Sequence, residues 1–244
     1  ETIELVNSMS PELIIVCAYG QILTKQFLDI PNIGCFNIHF SFLPSLRGAS
    51  PVQTAIALGM EKTGVSIQKM VLRLDAGPLA AFSEEVQILQ NDTTYTLGSR
   101  LSEISGNLIS QNLNNILNRN FNLSEQNESK ATYCSIIKKN DGHVNWCEES
   151  AQVIERKLRA YNPWPGIFSF YKTNSKSKYS HRLQFTKAEI VKGNFDSGKI
   201  YPNMIIGANT DGLRILSLKP EGKKEMDSKS FLNGNADILG TVLE

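Results

Sequence analysis

A continuous apolar run near the start of the chain constrains the fold more than any other feature. Residues 13–17 read Leu-Ile-Ile-Val-Cys, and Ala-Tyr-Gly follows at 18–20. A short run of this kind, bounded by turn residues, predicts a buried strand of a parallel sheet. Thr24 next predicts the cap of a short helix over residues 25–28.

A second strand is predicted over residues 35–40, where Asn37 and His39 alternate with Phe36, Ile38 and Phe40. Asn37 and His39 therefore share one face of the strand, with Cα atoms roughly 6–7 Å apart. An Asn amide and a His imidazole together suit attack on a carbonyl group, and ligands of open α/β sheets bind where strands end. The pattern alone leaves open that both are satisfied polar groups of a core.

Further strands and helices alternate along the first half of the chain. The pattern predicts a helix over residues 51–58 that stops at Gly59, a third strand over 65–72, another around 85–89 and a long helix after Asp92. This alternation indicates an α/β fold with an open parallel sheet.

Asp75 follows the third strand and could be the partner of His39. A carboxylate beside an imidazole favours the charged ring and fixes its orientation. The alternative is a turn-forming Asp without a catalytic role.

The second half of the chain has a different character. Residues 118–130 are rich in Asn, Ser, Glu and Gln and are interpreted as a linker between a domain over 1–117 and a domain over 131–244. After a helix over 149–160, short β-like runs cover 167–171, 183–185, 190–191, 204–207 and 213–218, with a hairpin turn at Asp211-Gly212. Short strands with turns predict a small β-barrel.

Charge and cysteine usage narrow the function classes. The net charge of +1 divides into −4 over residues 1–125 and +5 over 126–244, so the second half is the part that would meet a polyanion. A solvated, Lys-rich surface is the alternative. The four cysteines form no CxxC pair, which argues against a zinc site and fits a reducing cytosol. No apolar run approaches the roughly 18 residues of a membrane span.

Three segments of the first half resemble the 10-formyltetrahydrofolate-dependent formyltransferases. They are Phe-Asn-Ile-His-Phe-Ser-Phe-Leu-Pro-Ser-Leu-Arg-Gly-Ala-Ser-Pro at 36–51, Thr-Gly-Val-Ser-Ile at 63–67 and Leu-Asp-Ala-Gly-Pro at 74–78. The resemblance implies a Rossmann-like sheet, no metal, and Asn37, His39 and Asp75 as the catalytic residues. It also implies a folate site formed by Tyr19, Gly20, Gln21, Ile22, Leu23, Ser41, Leu43, Pro44 and Leu72.

The second half looks like the methionyl-tRNA formyltransferases, through Arg-Ala-Tyr-Asn-Pro-Trp-Pro-Gly at 159–166, Leu-Lys-Pro-Glu-Gly-Lys-Lys-Glu-Met at 218–226 and Phe-Leu-Asn-Gly at 231–234. That resemblance implies a cytoplasmic monomer that transfers the formyl group of 10-formyltetrahydrofolate to the α-amino group of initiator methionyl-tRNA. It implies an OB-like C-terminal barrel that helps to hold the tRNA. The implied tRNA contacts are Arg47, Lys138, Lys139, Lys223 and Lys224.

Two alternatives remain at this point. One is a related enzyme that formylates a sugar amine or glycinamide ribonucleotide, and the other is an RNA-binding relative without catalysis. Members of the family also begin with a glycine-bearing first strand ahead of the segment at 13–17. We therefore expect at least one further βαβ unit of about 30 residues before Glu1 in the full protein.

Overall fold

The computed structural model describes residues 2–172 and 181–244. Residue 1, where the first domain was predicted to start, and residues 173–180 of the predicted second domain lie outside the described residues. The chain divides into a first unit, Glu1–Ala55 with Met60–Ile136, and a second unit, Ile56–Gly59 with Ile137–Glu244. The segment interpreted as a linker, residues 118–130, falls within the first unit.

The first unit is built on a mixed four-stranded sheet. Its elements are α1 (Thr2–Ser8), β1 (Leu13–Cys17), α2 (Lys25–Leu28), β2 (Gly34–His39), β3 (Arg47–Gly48), α3 (Pro51–Leu58, which runs into the second unit), β4 (Lys62–Thr63), β5 (Ser66–Lys69), β6 (Leu79–Phe82), β7 (Val86–Gln87), α4 (Thr94–Leu117) and β8 (Tyr133–Cys134), with a 3₁₀ turn at Glu128–Lys130. The main sheet has the order β1-β2-β5-β6, and two short pairs, β3-β8 and β4-β7, lie outside it.

Within the main sheet, the prediction of parallel strands is correct for one strand pair and wrong for the other two. Strands β1 and β2 are parallel, whereas β5 is antiparallel to β2 and β6 is antiparallel to β5. Strand periodicity reports which side chains share a face, but not the direction in which the chain re-enters the sheet.

Local signals fixed several elements at the predicted residues. Thr24 caps α2 by accepting a hydrogen bond from the Phe27 amide, and α3 spans the predicted residues before Gly59. The long helix α4 begins after Thr93, which forms a reciprocal capping box with Thr96. It buries Leu97, Leu101 and Leu108, each worth about 1.5–3 kcal/mol when fully removed from water.

The first strand is more exposed than its apolar sequence predicted. Ile15 is 36% exposed and Cys17 is also exposed. The reason is that β1 lies at the edge of the sheet and pairs only with β2 among the described residues.

In its described residues, the second unit is an antiparallel sheet with two helices besides the end of α3. Its elements are α5 (Ala151–Ala160), β9 (Ile167–Tyr171), β10 (His181–Val191), β11 (Ile200–Tyr201), β12 (Ile205–Gly207), β13 (Gly212–Pro220), β14 (Met226–Asp227) and α6 (Ser228–Asn233), with 3₁₀ turns at Lys139–Gly142, Pro202–Met204 and Ala236–Ile238. The strand order is β11-β12-β13-β10-β9, and β14 pairs with β13. Within the described part of the chain, these pairings do not close into a barrel.

Two features of this sheet bear on the predictions. The runs at 183–185 and 190–191 belong to one strand, β10, whose register against β13 shifts at Lys187. The hairpin turn at Asp211-Gly212 is confirmed, since Asp211 has φ +66° and β13 starts at the next residue. The core of this unit includes Ile154, Leu183 and Ile215, all fully buried. No helix of residues 2–172 and 181–244 is long and apolar enough to cross a membrane.

Candidate active site

The carboxylate of Asp75 is the centre of a hydrogen-bonded cluster in the first unit. Gln68 Nε2 donates to Asp75 Oδ1 over 2.7 Å, and Asn37 Nδ2 donates to the same oxygen over 3.3 Å. The backbone amide of Gly48 donates to Oδ2 over 2.8 Å. Three donors on one carboxylate fix the direction in which it points.

His39 lies beside this carboxylate in a buried position. Its Nε2 is 2.8 Å from the Leu46 carbonyl oxygen, and its Nδ1 is 3.8 Å from Asp75 Oδ2. A carbonyl oxygen can only accept, so Nε2 carries a proton. Nδ1 lies on the side of the Asp75 carboxylate, but the separation of 3.8 Å is too long for a hydrogen bond between the two groups.

The sheet register explains why these residues meet. Strand β2 places Asn37 opposite Gln68 and His39 opposite Ser66 on β5. Polar side chains from the two strands therefore stand on one face of the sheet, and Asp75 comes over that face from the loop after β5. The structure thus brings together all three residues predicted to be catalytic.

Asp75 itself has an unusual backbone conformation. Its φ is +47°, in the left-handed region where a residue with a side chain costs about 1–3 kcal/mol unless its surroundings hold it there. Gln126 supplies that hold, because its Nε2 donates to the carbonyl oxygens of Asp75 (2.8 Å) and Gly77 (2.7 Å). Gly77 in turn donates its amide to Gln68 Oε1 over 3.2 Å.

Arg47 completes the support around Gln126. Its Nε and Nη2 donate to Gln126 Oε1 over 3.1 and 2.8 Å, and its guanidinium forms a two-pronged contact with Glu128 over 2.8 and 3.1 Å. Arg73 also pairs with Glu128. The hydrogen bonds from Arg47 lower the pKa of the Glu128 carboxyl below its ordinary value. Arg47 is completely buried, so it lies inside the first unit instead of on a surface open to tRNA.

The residues predicted to bind folate fall into two groups. Ser41 and Leu43 are buried in the loop after β2, where Ser66 Oγ donates to the Ser41 carbonyl (2.6 Å) and accepts from the Leu43 amide (3.0 Å). Pro44 is partly buried in the same loop. These residues therefore shape the loop, and their side chains present little surface to a ligand.

The second group is open to solvent. Tyr19, Gly20, Gln21 and Ile22 are exposed, Leu23 is half-buried, and Ile22 is 90% exposed. This segment leaves the sheet directly after β1, whose last residue, Cys17, pairs with Ile38 next to His39. Leu72 is also exposed, in the loop that leads to Asp75.

The remaining predicted tRNA contacts lie in the second unit. Lys138 and Lys139 are exposed before and within the 3₁₀ turn at Lys139–Gly142, and Lys223 and Lys224 are exposed in the loop between β13 and β14. Among the residues that the structure describes, no group of three or more His, Cys, Asp or Glu side chains could hold a metal ion.

Sequence reasoning missed two residues of the cluster, Gln68 and Gln126. Gln68 could have been found, since Ser66 and Gln68 alternate with Ile67 on the predicted third strand just as Asn37 and His39 do on the second. Gln126 carries no such signal. It lies in a polar segment with no periodicity, and only the tertiary structure brings it under Asp75.

Known proteins with related sequences identify the family. Residues 1–113 match the formyl transferase domain, and residues 136–236 match the formyl transferase C-terminal domain. The chain is 35% identical to methionyl-tRNA formyltransferase of Bacillus velezensis over 248 residues, an alignment that covers 100% of this chain and 78% of that protein. The chain belongs to the methionyl-tRNA formyltransferase family. A second family member, from Macrococcus caseolyticus, is 36% identical over 96% of this chain and 74% of its own length.

Solved structures agree with the fold of this family. HypX from Aquifex aeolicus, solved in complex with tetrahydrofolic acid, superposes with a TM-score of 0.70 at 17% identity, over 98% of this chain and 41% of HypX. The sugar 3N-formyltransferase WlaRD superposes with a TM-score of 0.64 at 18% identity, over 90% of this chain and 77% of WlaRD. At these identities the likeness concerns the fold alone.

Proposed function

We propose that this chain transfers the formyl group of 10-formyltetrahydrofolate to the α-amino group of initiator methionyl-tRNA. The observation that carries the proposal is the cluster of Asn37, His39 and Asp75, which gathers an amide donor, an imidazole and a fixed carboxylate at the end of β2. Membership of the methionyl-tRNA formyltransferase family supports the choice of acceptor.

The cluster has the groups that acyl transfer to an amine requires. Asn37 Nδ2 has a second hydrogen that is not needed by Asp75, and His39 in its protonated form would add an Nδ1–H beside it. Two donors directed at one point would stabilise the negative charge that develops on a formyl oxygen during attack. Asp75 would accept the proton that the attacking amine loses, and that proton would pass to the folate nitrogen as its bond to the formyl carbon breaks and tetrahydrofolate leaves.

The surface beside the cluster fits a folate, which supplies the formyl group. Residues 18–22 are exposed next to the end of β2, and their side chains include an aromatic ring, Tyr19, and an apolar one, Ile22. A pterin is a flat ring with hydrogen-bonding edges, and an apolar surface beside exposed backbone suits it. We propose that the exposed stretch from Tyr19 to Leu23 holds the pterin, while Ser41, Leu43 and Pro44 shape the neighbouring loop.

The second unit is proposed as the tRNA-binding part. Lys138, Lys139, Lys223 and Lys224 are exposed there, and contacts to phosphates supply much of the affinity of proteins for nucleic acids. Arg47 is excluded from this surface because it is buried and paired with Glu128. The OB-like barrel, the monomeric state and the cytoplasmic location expected from the resemblance belong to the same proposal.

A formylation assay tests the function directly. With charged initiator tRNA and 10-formyltetrahydrofolate, His39→Ala should lower kcat by about 10²–10⁴-fold, the usual contribution of a positioned proton-transfer group. His181→Ala is the matched control, since His181 is an exposed histidine of the second unit, and should retain activity. Turnover of an amino sugar in preference to the charged tRNA would overturn the acceptor. No thermal stabilisation by folate would favour an RNA-binding protein without catalysis.

A further inference from the structure

A cleft of about 440 Å³ lies in the second unit, apart from the cluster around Asp75. It is lined by Lys139, Asn140, His143, Phe168, Phe170, Arg182 and Glu221. We propose that this cleft binds a single unpaired nucleotide of the RNA substrate, with the base stacked inside and a phosphate at the rim. The inference rests on the proposed function, which makes RNA the partner of this unit.

The floor of the cleft is a guanidinium stacked on an aromatic ring. The Arg182 guanidinium carbon lies 4.0 Å from the centre of the Phe168 ring, and Phe168 is only 3% exposed. Arg182 Nη2 also donates to the Pro165 carbonyl over 3.4 Å. These contacts hold the guanidinium as a flat cationic plane, and such planes stack on unpaired bases of RNA.

The wall of the cleft is aromatic. The His143 ring lies 5.5 Å from the ring of Phe168 and 5.8 Å from that of Phe170, measured between centroids, and His143 is exposed while Phe170 is partly buried. Base–aromatic stacking is tolerant of sequence, because every base has a π face. A base held inside a duplex cannot offer that face, so the cleft selects an unpaired nucleotide.

The rim supplies the polar groups that a nucleotide requires. Lys139 is exposed beside the aromatic wall and can pair with a phosphate. Asn140 and Glu221 offer an amide and a carboxylate to the edge of a base. The Glu221 carboxylate is fixed by the backbone amide of Arg182, which donates to it over 3.1 Å.

The backbone around the cleft is closely packed. A Cβ atom added to Gly142 would lie 2.0 Å from the carbonyl oxygen of Gly166, so the two segments meet at a distance that only glycine allows. The Val144 amide donates to the Phe168 carbonyl over 3.0 Å, which ties the same two segments together. Because these walls are in place before binding, the protein loses little conformational entropy when the ligand binds.

The test uses the full chain and fluorescent single-stranded RNA tetranucleotides, with binding followed by anisotropy at two salt concentrations. Phe170→Leu keeps apolar bulk but removes a ring, and His143→Ala removes the exposed one. Each should weaken binding by about 5- to 150-fold, the value of one base–aromatic stack. His181→Ala lies outside the cleft and is the matched control for His143→Ala. Thermal unfolding shows whether each variant is folded.

Lys139→Ala should reduce the dependence of RNA affinity on salt concentration, because one phosphate contact is lost. The control is Lys187→Ala, which removes an exposed lysine on β10 and should leave the affinity for the tetranucleotide unchanged. Equal affinity of wild type and both ring variants would overturn the inference, even if formyl transfer to charged tRNA is intact. Conversely, loss of RNA binding in the ring variants, together with a wild type that formylates no charged tRNA, would uphold the cleft and reject the proposed function.

Discussion

Replacing Gln126 by Glu is expected to loosen Asp75 without changing the shape of the side chain that supports it. The Gln126 amide uses all four of its hydrogen-bonding positions, two toward Arg47 and two toward the carbonyls of Asp75 and Gly77. A carboxylate can still accept from Arg47. It has no hydrogen to donate, so its second oxygen would face two carbonyl oxygens.

The magnitude follows from the two carbonyls that lose their donor. An unsatisfied buried polar group costs about 1–3 kcal/mol, so two such carbonyls cost about 2–6 kcal/mol. The carboxylate is attracted more strongly than the amide to the buried guanidinium of Arg47, which offsets roughly 1–2 kcal/mol of that cost. We expect Gln126→Glu to lower the free energy of unfolding by up to about 5 kcal/mol, with a central value of ~2.5 kcal/mol. Asp75 sits in the left-handed region, so a weaker hold should also shift its carboxylate, and a displacement of about 1 Å can cost 10²-fold in rate.

Two assays separate these effects. Urea denaturation measures the free energy of unfolding, and steady-state formylation should show a kcat about 10²-fold lower with KM for tRNA little changed. The control is Gln87→Glu, which adds the same charge at an exposed position of the same unit. If Gln126→Glu were destabilised but kept the wild-type kcat, Gln126 would support the fold without positioning Asp75.

Three further predictions concern backbone space, thiol reactivity and pH. Gly77→Ala should reduce both stability and turnover, because its Cβ would lie 1.7 Å from a backbone carbonyl oxygen. Gly98→Ala, whose Cβ would have no atom within 4 Å, should instead stabilise α4 by about 0.5–1 kcal/mol. Similar effects of the two variants in thermal unfolding would contradict this prediction. Burial raises the pKa of the Cys35 thiol to about 11, so iodoacetamide at pH 8 should label the exposed Cys147 before Cys35. If mass spectrometry finds both thiols labelled equally fast, Cys35 is not buried. In the folded protein the pKa of the Glu128 carboxyl is lower than its ordinary value of 4.5, so the stability contributed by the ionised carboxylate is present above pH 4.5 and is lost as the pH falls through the folded pKa. Glu128→Gln should therefore flatten the acid side of the curve of unfolding free energy against pH. An unchanged acid side would count against the ion pair.

Much of the local structure could be predicted from neighbouring residues. The cap at Thr24 and the helix between Pro51 and Gly59 depend on contacts within one turn, so the sequence carries them directly. The same holds for the shared face of Asn37 and His39, which follows from the alternation of side chains along a strand. By contrast, the direction of β5 depends on long-range pairing and was predicted wrongly.

The sequence by itself determined which residue types stand next to one another along the chain: a strand with an amide and an imidazole on one face, an aspartate after a later strand, and a Lys-rich second half. Only the tertiary structure decided what surrounds them. The resemblance implied that Arg47 contacts tRNA, yet Arg47 is buried against Gln126, which is 79 positions away in the chain. The physical reason is that hydrogen bonds depend on proximity in space, and a polar segment without periodicity gives no sign of which buried carbonyls its side chains will satisfy.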